Sequence, residues 1–417
     1  MNPLYNFAIR AFGTGIKIAA LRDEKVKKLH DGQRDALDYL RATLTPGKRY
    51  IWFHSASAGE FEQARPMIEM IKDKHPECKI LLTFFSPSGY EVKKNFPLAD
   101  AVCYLPLDTP RRVRTFLDLV NPSLAIFIKY EFWGNYLQEL KRRGIPTYII
   151  SAIFRPSQVF FKPWGGMMRS MLKCYTHIYV QDERSKSLLA GIGINNVTVA
   201  GDTRFDRVTD IMKGCKEIPE IKAMKESGGV FMIAGSTWQP DEANILPYFN
   251  SHPELKLIIA PHEVKPERIA AIEAAISRKV YRLSTLTAEQ AAGADCVIVD
   301  CYGKLSSIYT YGDIGYVGGG FGVGIHNINE AAVYGMPVIF GPNYKKFKEA
   351  IEMIAAGGAF TYRSKEELDS ILDRMLSDGD FLAGAGKSAA DYVKHNLGAT
   401  ACIYADIEPV VTRNLDY

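Results

Sequence analysis

Short, wholly apolar runs rich in β-branched residues alternate with longer stretches in which apolar residues return at helical spacing. In the first half the runs are YIWFH (50–54), KILLTF (79–84), AVCYL (101–105), LAIFI (124–128), PTYII (146–150), HIYV (177–180) and VTVAG (197–201). The rhythm restarts with VFMIAG (230–235), KLIIAPH (256–262), CVIVD (296–300), IGYVGG (314–319) and PVIFG (337–341). Strands that are apolar at every position, rather than at every second one, belong to parallel sheets covered by helices on both faces. The pattern therefore predicts an α/β protein of two doubly wound, Rossmann-like domains in series. Between the two series, residues 213–229 are polar, contain Pro219 and end in a glycine pair, which predicts a linker. The expected division is an N-terminal helix over 1–30, a first domain over 31–212, the linker, a second domain over 230–387 and a helical C-terminal stretch over 388–417.

Length agrees, since 417 residues exceed the roughly 250–300 at which a single core stops growing. The formal net charge of +4 is too mild for a dedicated nucleic-acid binder. Seven scattered cysteines without a CxxC pair point to reduced thiols in the cytoplasm. No run approaches the roughly 18 apolar residues of a spanning helix. The first segment nevertheless sets Leu4, Phe7, Ala8, Ala11 and Phe12 at helical spacing and follows them with Lys17, Arg22, Lys25, Lys27 and Lys28. That arrangement suits a helix lying on an anionic leaflet and equally a helix packing on its own domain, with Gly13 and Gly15 weakening it in either case.

In doubly wound sheets ligands bind beyond the carboxyl ends of the strands, and two such domains are expected to face a shared cleft, so candidate chemistry is sought just after each strand. Glu60 closes HSASAGE at the start of a helix, where the helix N-terminus favours the ionised carboxylate and so suits a general base; the same position also suits a purely structural carboxylate. Glu131 follows a second strand and Arg204, in AGDTRFD, a third, giving a carboxylate flanked by a cation. In the second half, Ser236 or Thr237 is expected to cap a helix whose first amides suit a phosphate. His262 and Glu263 end another strand, without the HxxxH, HExxH or Cys/His spacing of a zinc site. In the late glycine run, Gly318, Gly319, Gly320, Gly322 and Gly324 are expected to admit a ligand close to the backbone. His326 and Asn327 are then expected to open a helix on which Asn327 and Glu330 share a face, with the carboxylate placed for a ribose. There is no GxxxxGK[ST] loop.

HSASAGE, the Glu131 segment, GDTRFD, APHE, GGGF and HNINE, in that order, resemble bacterial 3-deoxy-D-manno-octulosonic acid (Kdo) transferases from the N-terminal segment to about residue 345. The resemblance implies a GT-B glycosyltransferase that moves Kdo, with inversion and without a metal or other cofactor, from CMP-Kdo to a lipid A precursor. The implied setting is the cytoplasmic face of the inner membrane, with peripheral contact to anionic lipids and no nucleic acid. It implies Glu60 as catalytic base, Glu131 and Arg204 as transition-state support, and CMP contacts from Ser236, Pro261, His262, Tyr302, Gly303, Lys304, Gly319, Gly320, Asn327 and Glu330. It also implies that the C-terminal stretch crosses back onto the first domain. Arg204 departs from the Lys common in the family, keeping the charge but trading a compact ammonium for a planar fork. Lys304 replaces an acidic residue common among relatives, so only backbone contacts carry over there. A GT-B epimerase or transferase acting on a UDP-sugar, and a non-catalytic nucleotide-binding relative, are the competing readings.

Overall fold

The computed structural model describes residues 3–413. They form two compact units, one of residues up to 207 together with those from 397 onward, the other of residues 208–396; Met1, Asn2 and 414–417 lie outside the described residues.

The first unit opens with helices α1 (Pro3–Ala19) and α2 (Glu24–Thr43). Its sheet is built from β1 (Tyr50–Ser55), β2 (Lys79–Phe84), β3 (Ala101–Tyr104), β4 (Pro122–Ile128), β5 (Thr147–Ala152), β6 (His177–Val180) and β7 (Val197–Val199). The order across the sheet is β3-β2-β1-β4-β5-β6-β7, every pairing parallel. β1 and β4 are buried at every position because helices cover both faces, which is why their sequences do not alternate. Helix α3 (Ala58–Lys74) follows β1 and packs Phe61, Ala64, Met67, Ile68 and Ile71 into one of the two cores.

The second unit repeats the plan with β8 (Val230–Thr237), β9 (Leu255–Pro261), β10 (Val280–Arg282), β11 (Cys296–Ile298), β12 (Ile314–Val317), β13 (Val338–Phe340) and β14 (Ala359–Thr361), ordered β10-β11-β9-β8-β12-β13-β14. β10 and β14 have no counterpart among the apolar runs of the sequence. Each is three residues long, sits at a sheet edge and is only partly buried, so little selects for an apolar signature.

Three local readings change. The stretch 213–229 contains a helix, Pro219–Glu226, whose Ile221 and Met224 are buried within the second unit, so most of it is packed structure. The C-terminal stretch is two helices in different units, Gly379–His395 in the second and Ala399–Arg413 in the first. The latter inserts Ile403, Tyr404, Ile407 and Val411 into the core beside α3, and Asp206 accepts hydrogen bonds from Gly398 N and Thr400 N at its start. Helix α1 is continuous despite its glycines. Tyr5, Ile9 and Ile16 are buried, and the Tyr5 hydroxyl donates to Asp108 at 2.6 Å while accepting from Gly134 N. Gly13 lets the helix approach, since a Cβ there would lie 2.5 Å from Leu107.

Candidate active site

In each sheet the chain reverses its direction of winding beside the unit's first strand, at β1/β4 and at β8/β12. The crevice beyond the carboxyl ends at such a switch point is where doubly wound folds bind ligands. Glu60 and Glu131 follow β1 and β4; Ser236 and Gly318–Gly320 stand at the ends of β8 and β12.

In the first unit, Ser57 caps α3 by accepting from Glu60 N, and the Glu60 carboxylate reaches back to accept from Ala56 N at 2.6 Å. Burial, and after it the negative charge of Glu131, pushes the Glu60 carboxyl up to about 7, against the Ala56 amide, His54 and Lys129. The position in sequence predicts a carboxylate held ionised by the helix start. That effect is worth roughly 0.3–1 kcal/mol, too little to offset burial beside a second negative charge. Glu60 is therefore poised between its two protonation states near neutrality.

Glu131 is buried and held from two sides. His54 Nε2 lies 2.7 Å from Oε2, and Trp133 Nε1 donates to the same oxygen at 2.5 Å. The fully buried His54 ring turns Nδ1 to Thr83, 2.9 Å from Oγ1 and 3.2 Å from the carbonyl oxygen, and Trp52 Nε1 donates to Thr83 Oγ1 at 2.8 Å. Sequence alone assigns no role to His54, inside the HSASAGE run. Its position at the carboxyl end of β1 is the signal that marks it.

Arg204 starts the helix Arg204–Lys213 after β7, and its guanidinium grips Asp202 through Nε (3.0 Å) and Nη2 (2.8 Å). Asp202 also accepts from Gln63 of α3. Burial works against its charge, but Arg204 outweighs burial and holds the carboxyl below the usual range. Thr203 bonds to Ser151 at the end of β5 and to the Gln63 carbonyl, so the loops after β5 and β7 and the first turns of α3 are tied together. Lys129 (φ 61°), Ser151 (φ 52°) and Ser236 (φ 53°) all adopt left-handed backbone at strand ends, a strain that collects at functional sites.

In the second unit, the helix Gln239–Ser251 is capped at Trp238, whose amide donates to Asp241 at 2.9 Å, so neither Ser236 nor Thr237 is the cap; Thr237 instead donates to Glu242. Asp241, fully buried, also accepts from Gly319 N and from Tyr316, which fixes the glycine loop from beneath. Two glycines of that loop are also demanded by protein packing: a Cβ on Gly318 would lie 2.3 Å from the Ser236 carbonyl, and on Gly320 2.6 Å from Gly341. Gly319 (φ 93°) is required by its backbone. Pro261 ends β9, and the exposed His262 stacks between Trp238 (4.6 Å) and His326 (4.5 Å). Burial and the neighbouring His262 hold His326 below the usual imidazole range. Tyr302, Gly303 and Lys304 form an exposed turn in which the Tyr302 hydroxyl accepts from Val264 N. The helix expected from His326 onward is a single turn, Asn329–Ala332, because the Asn327 side chain caps Asn329 N and Gly335 (φ 77°) ends the segment. Asn327 Nδ2 still donates to Glu330 at 3.0 Å, so the two side chains meet as their spacing predicts. Among the described residues no group of three or more His, Cys, Asp or Glu could hold a metal.

The fold has solved counterparts. The UDP-GlcNAc 2-epimerase from Neisseria meningitidis bound to UDP-GlcNAc aligns over 86% of this chain and 100% of its own (TM-score 0.59, 15% identity), and Acinetobacter baumannii MurG over 87% and 99% (TM-score 0.57, 11% identity). Together with the two parallel seven-stranded sheets, this defines the GT-B fold of two Rossmann-like units. Residues 28–207 match the family model described as 3-deoxy-D-manno-octulosonic-acid transferase. The 3-deoxy-D-manno-octulosonic acid transferase of Aquifex aeolicus is 29% identical over 81% of this chain and 89% of its own, and that of Haemophilus influenzae 25% identical over 89% of each. By sequence, the chain is a relative of the Kdo transferases.

Proposed function

We propose that the chain transfers Kdo from CMP-Kdo to a lipid A precursor with inversion at the anomeric carbon. The observation that carries this reading is Glu60: a carboxyl balanced near neutrality at the first unit's switch point, beside a second buried carboxylate, in a relative of Kdo transferases. Glu60 accepts the proton of the acceptor hydroxyl as that oxygen attacks the anomeric carbon. The bond from that carbon to the phosphate oxygen breaks, and CMP leaves with the electron pair. Glu131 keeps Glu60 basic, and Arg204, held in place by Asp202, supports the negative charge that develops.

CMP is assigned to the second unit. Ser236, Gly319 and Gly320 line its switch point, Asn327 and Glu330 take the ribose, and Pro261, His262 and the Tyr302–Lys304 turn complete the nucleotide contacts. Peripheral attachment to the cytoplasmic face of the inner membrane is assigned to α1, where Leu4, Phe7 and Ile18 are 69%, 70% and 63% exposed. Among the described residues no helix is long and apolar enough to cross a membrane.

Incubation of the purified protein with CMP-Kdo and a lipid A precursor, with mass spectrometry of the lipid, tests the assignment. Formation of Kdo-lipid is expected. Consumption of a UDP-sugar with no Kdo-lipid formed would favour the UDP-sugar reading instead.

A further inference from the structure

Gln63 lies on α3, three residues beyond Glu60 and so on the same side of the helix, and only 1% of it is exposed. Its Nε2 donates to both oxygens of the buried Asp202, at 3.0 Å to each. Its backbone carbonyl accepts from Thr203 Oγ1 at 2.6 Å. Its Oε1 is buried and has no hydrogen-bond partner among the described residues. The opposite orientation of the amide would set Oε1 against a carboxylate, so the stranded oxygen follows from the donor contact. A stranded buried carbonyl lowers stability, and a methionine would fill the same space without one. Packing alone does not select an amide here.

Asp202 does not need Gln63 for its charge. Arg204 already supplies N (3.0 Å), Nε (3.0 Å) and Nη2 (2.8 Å) to the same carboxylate. A carboxylate has about four lone-pair sites, and with Gln63 Nε2 bridging both oxygens they are filled. What Gln63 adds is orientation. Asp202 held by Arg204 alone can turn about its Cβ–Cγ bond and carry the guanidinium with it, since the two residues share one short loop. Tied to α3 as well, it cannot, because Phe61, Ala64 and Met67 seat that helix in the core. We propose that Gln63 is a positioning residue for the transfer: through Asp202 it sets the direction of the Arg204 guanidinium and ties that direction to the helix carrying Glu60. This inference rests on the proposed function, in which Arg204 supports the developing charge.

The test is a double-mutant cycle on the full chain, with kcat and KM measured for Kdo transfer from CMP-Kdo to a lipid A precursor. The Thr203 contact uses the Gln63 backbone and survives substitution, so Gln63→Met removes the amide alone. In the parent background kcat is expected to fall roughly 10–100-fold, the effect of a charged group displaced by up to about an ångström, with KM for CMP-Kdo within about twofold. In an Arg204→Lys background, where a single ammonium has no fork to orient, the same substitution is expected to lower kcat by no more than about threefold. The fall in kcat/KM at low pH, set by Glu60, should stay where it is in the parent, because α3 has not moved. Equal losses in the two backgrounds, a shifted pH limb, or a protein that no longer folds makes Gln63 structural and overturns the proposal. An unchanged kcat overturns it too. No Kdo-lipid from the parent chain refutes the proposed function and this inference with it, whereas transfer by the parent with equal losses in both backgrounds refutes this inference alone.

Discussion

Glu131 and His54, from neighbouring strands β4 and β1, meet at 2.7 Å with the histidine wholly buried. The contact fixes a negative charge beside Glu60 and closes a chain of hydrogen bonds that runs back through Thr83 to Trp52. Removing one partner strands the other in the core. His54→Ala is expected to lower stability by about 3 kcal/mol, read as a shifted midpoint in urea unfolding.

Glu60→Gln keeps the shape of the side chain and removes its ability to accept a proton. Transfer should fall by roughly 10²–10⁴-fold while CMP binding, measured by calorimetry, stays within about twofold because the nucleotide residues lie in the other unit. Equal loss of both would make Glu60 structural.

Activity should depend on pH through the same group. Protonated Glu60 cannot act as a base, so kcat/KM should be lost as pH falls through about 7 and level off above it. Glu131→Gln removes a charge that disfavours ionisation of Glu60, so the rising limb should move to lower pH. Stability runs the other way. A carboxyl raised on folding stabilises the native state below its unfolded value of 4.5, and that contribution is lost as pH rises through about 7. Glu60→Gln should therefore flatten the decline of Tm over that interval.

Gly320→Ala would place a methyl group 2.6 Å from the Gly341 backbone, which has no side-chain freedom to yield. Overpacking of this kind costs about 1–3 kcal/mol, and the displaced loop should weaken CMP binding. Gly322→Ala, where the nearest atom is at an ordinary 3.6 Å, is the control and should change neither.

Deleting α1 would not test membrane contact cleanly, because Tyr5 and Ile9 belong to the first unit's core. Phe7→Ser with Ile18→Ser touches exposed positions only. Vesicle binding should drop while Tm holds; unchanged binding would exclude the apolar edge of α1 as the attachment.

The α/β class and all but two strands are legible in the sequence, because parallel strands buried on both faces declare themselves as unbroken apolar runs. β10 and β14 escape because an edge strand of three residues has too little buried surface to impose that signature. The residues at strand ends are legible as positions, and Glu60, Glu131 and Arg204 are recovered that way. What holds them is not. The Asp202 grip on Arg204 joins near neighbours, but the His54–Glu131 and Gln63–Asp202 bonds span 77 and 139 residues, and local pattern carries no information about pairs so distant. The Glu60 charge state is misjudged for the same reason: the helix start is local and visible, whereas burial and Glu131 arrive only with the tertiary fold.

The helix Ala399–Arg413 has a further consequence, for the order of synthesis. The core beside α3 lacks Ile403, Tyr404, Ile407 and Val411 until the second unit has been made in full. On the ribosome, where domains mature as units from the N-terminus onward, this chain inverts the schedule: residues 208–396 can close first, and the unit carrying Glu60 waits for the last helix.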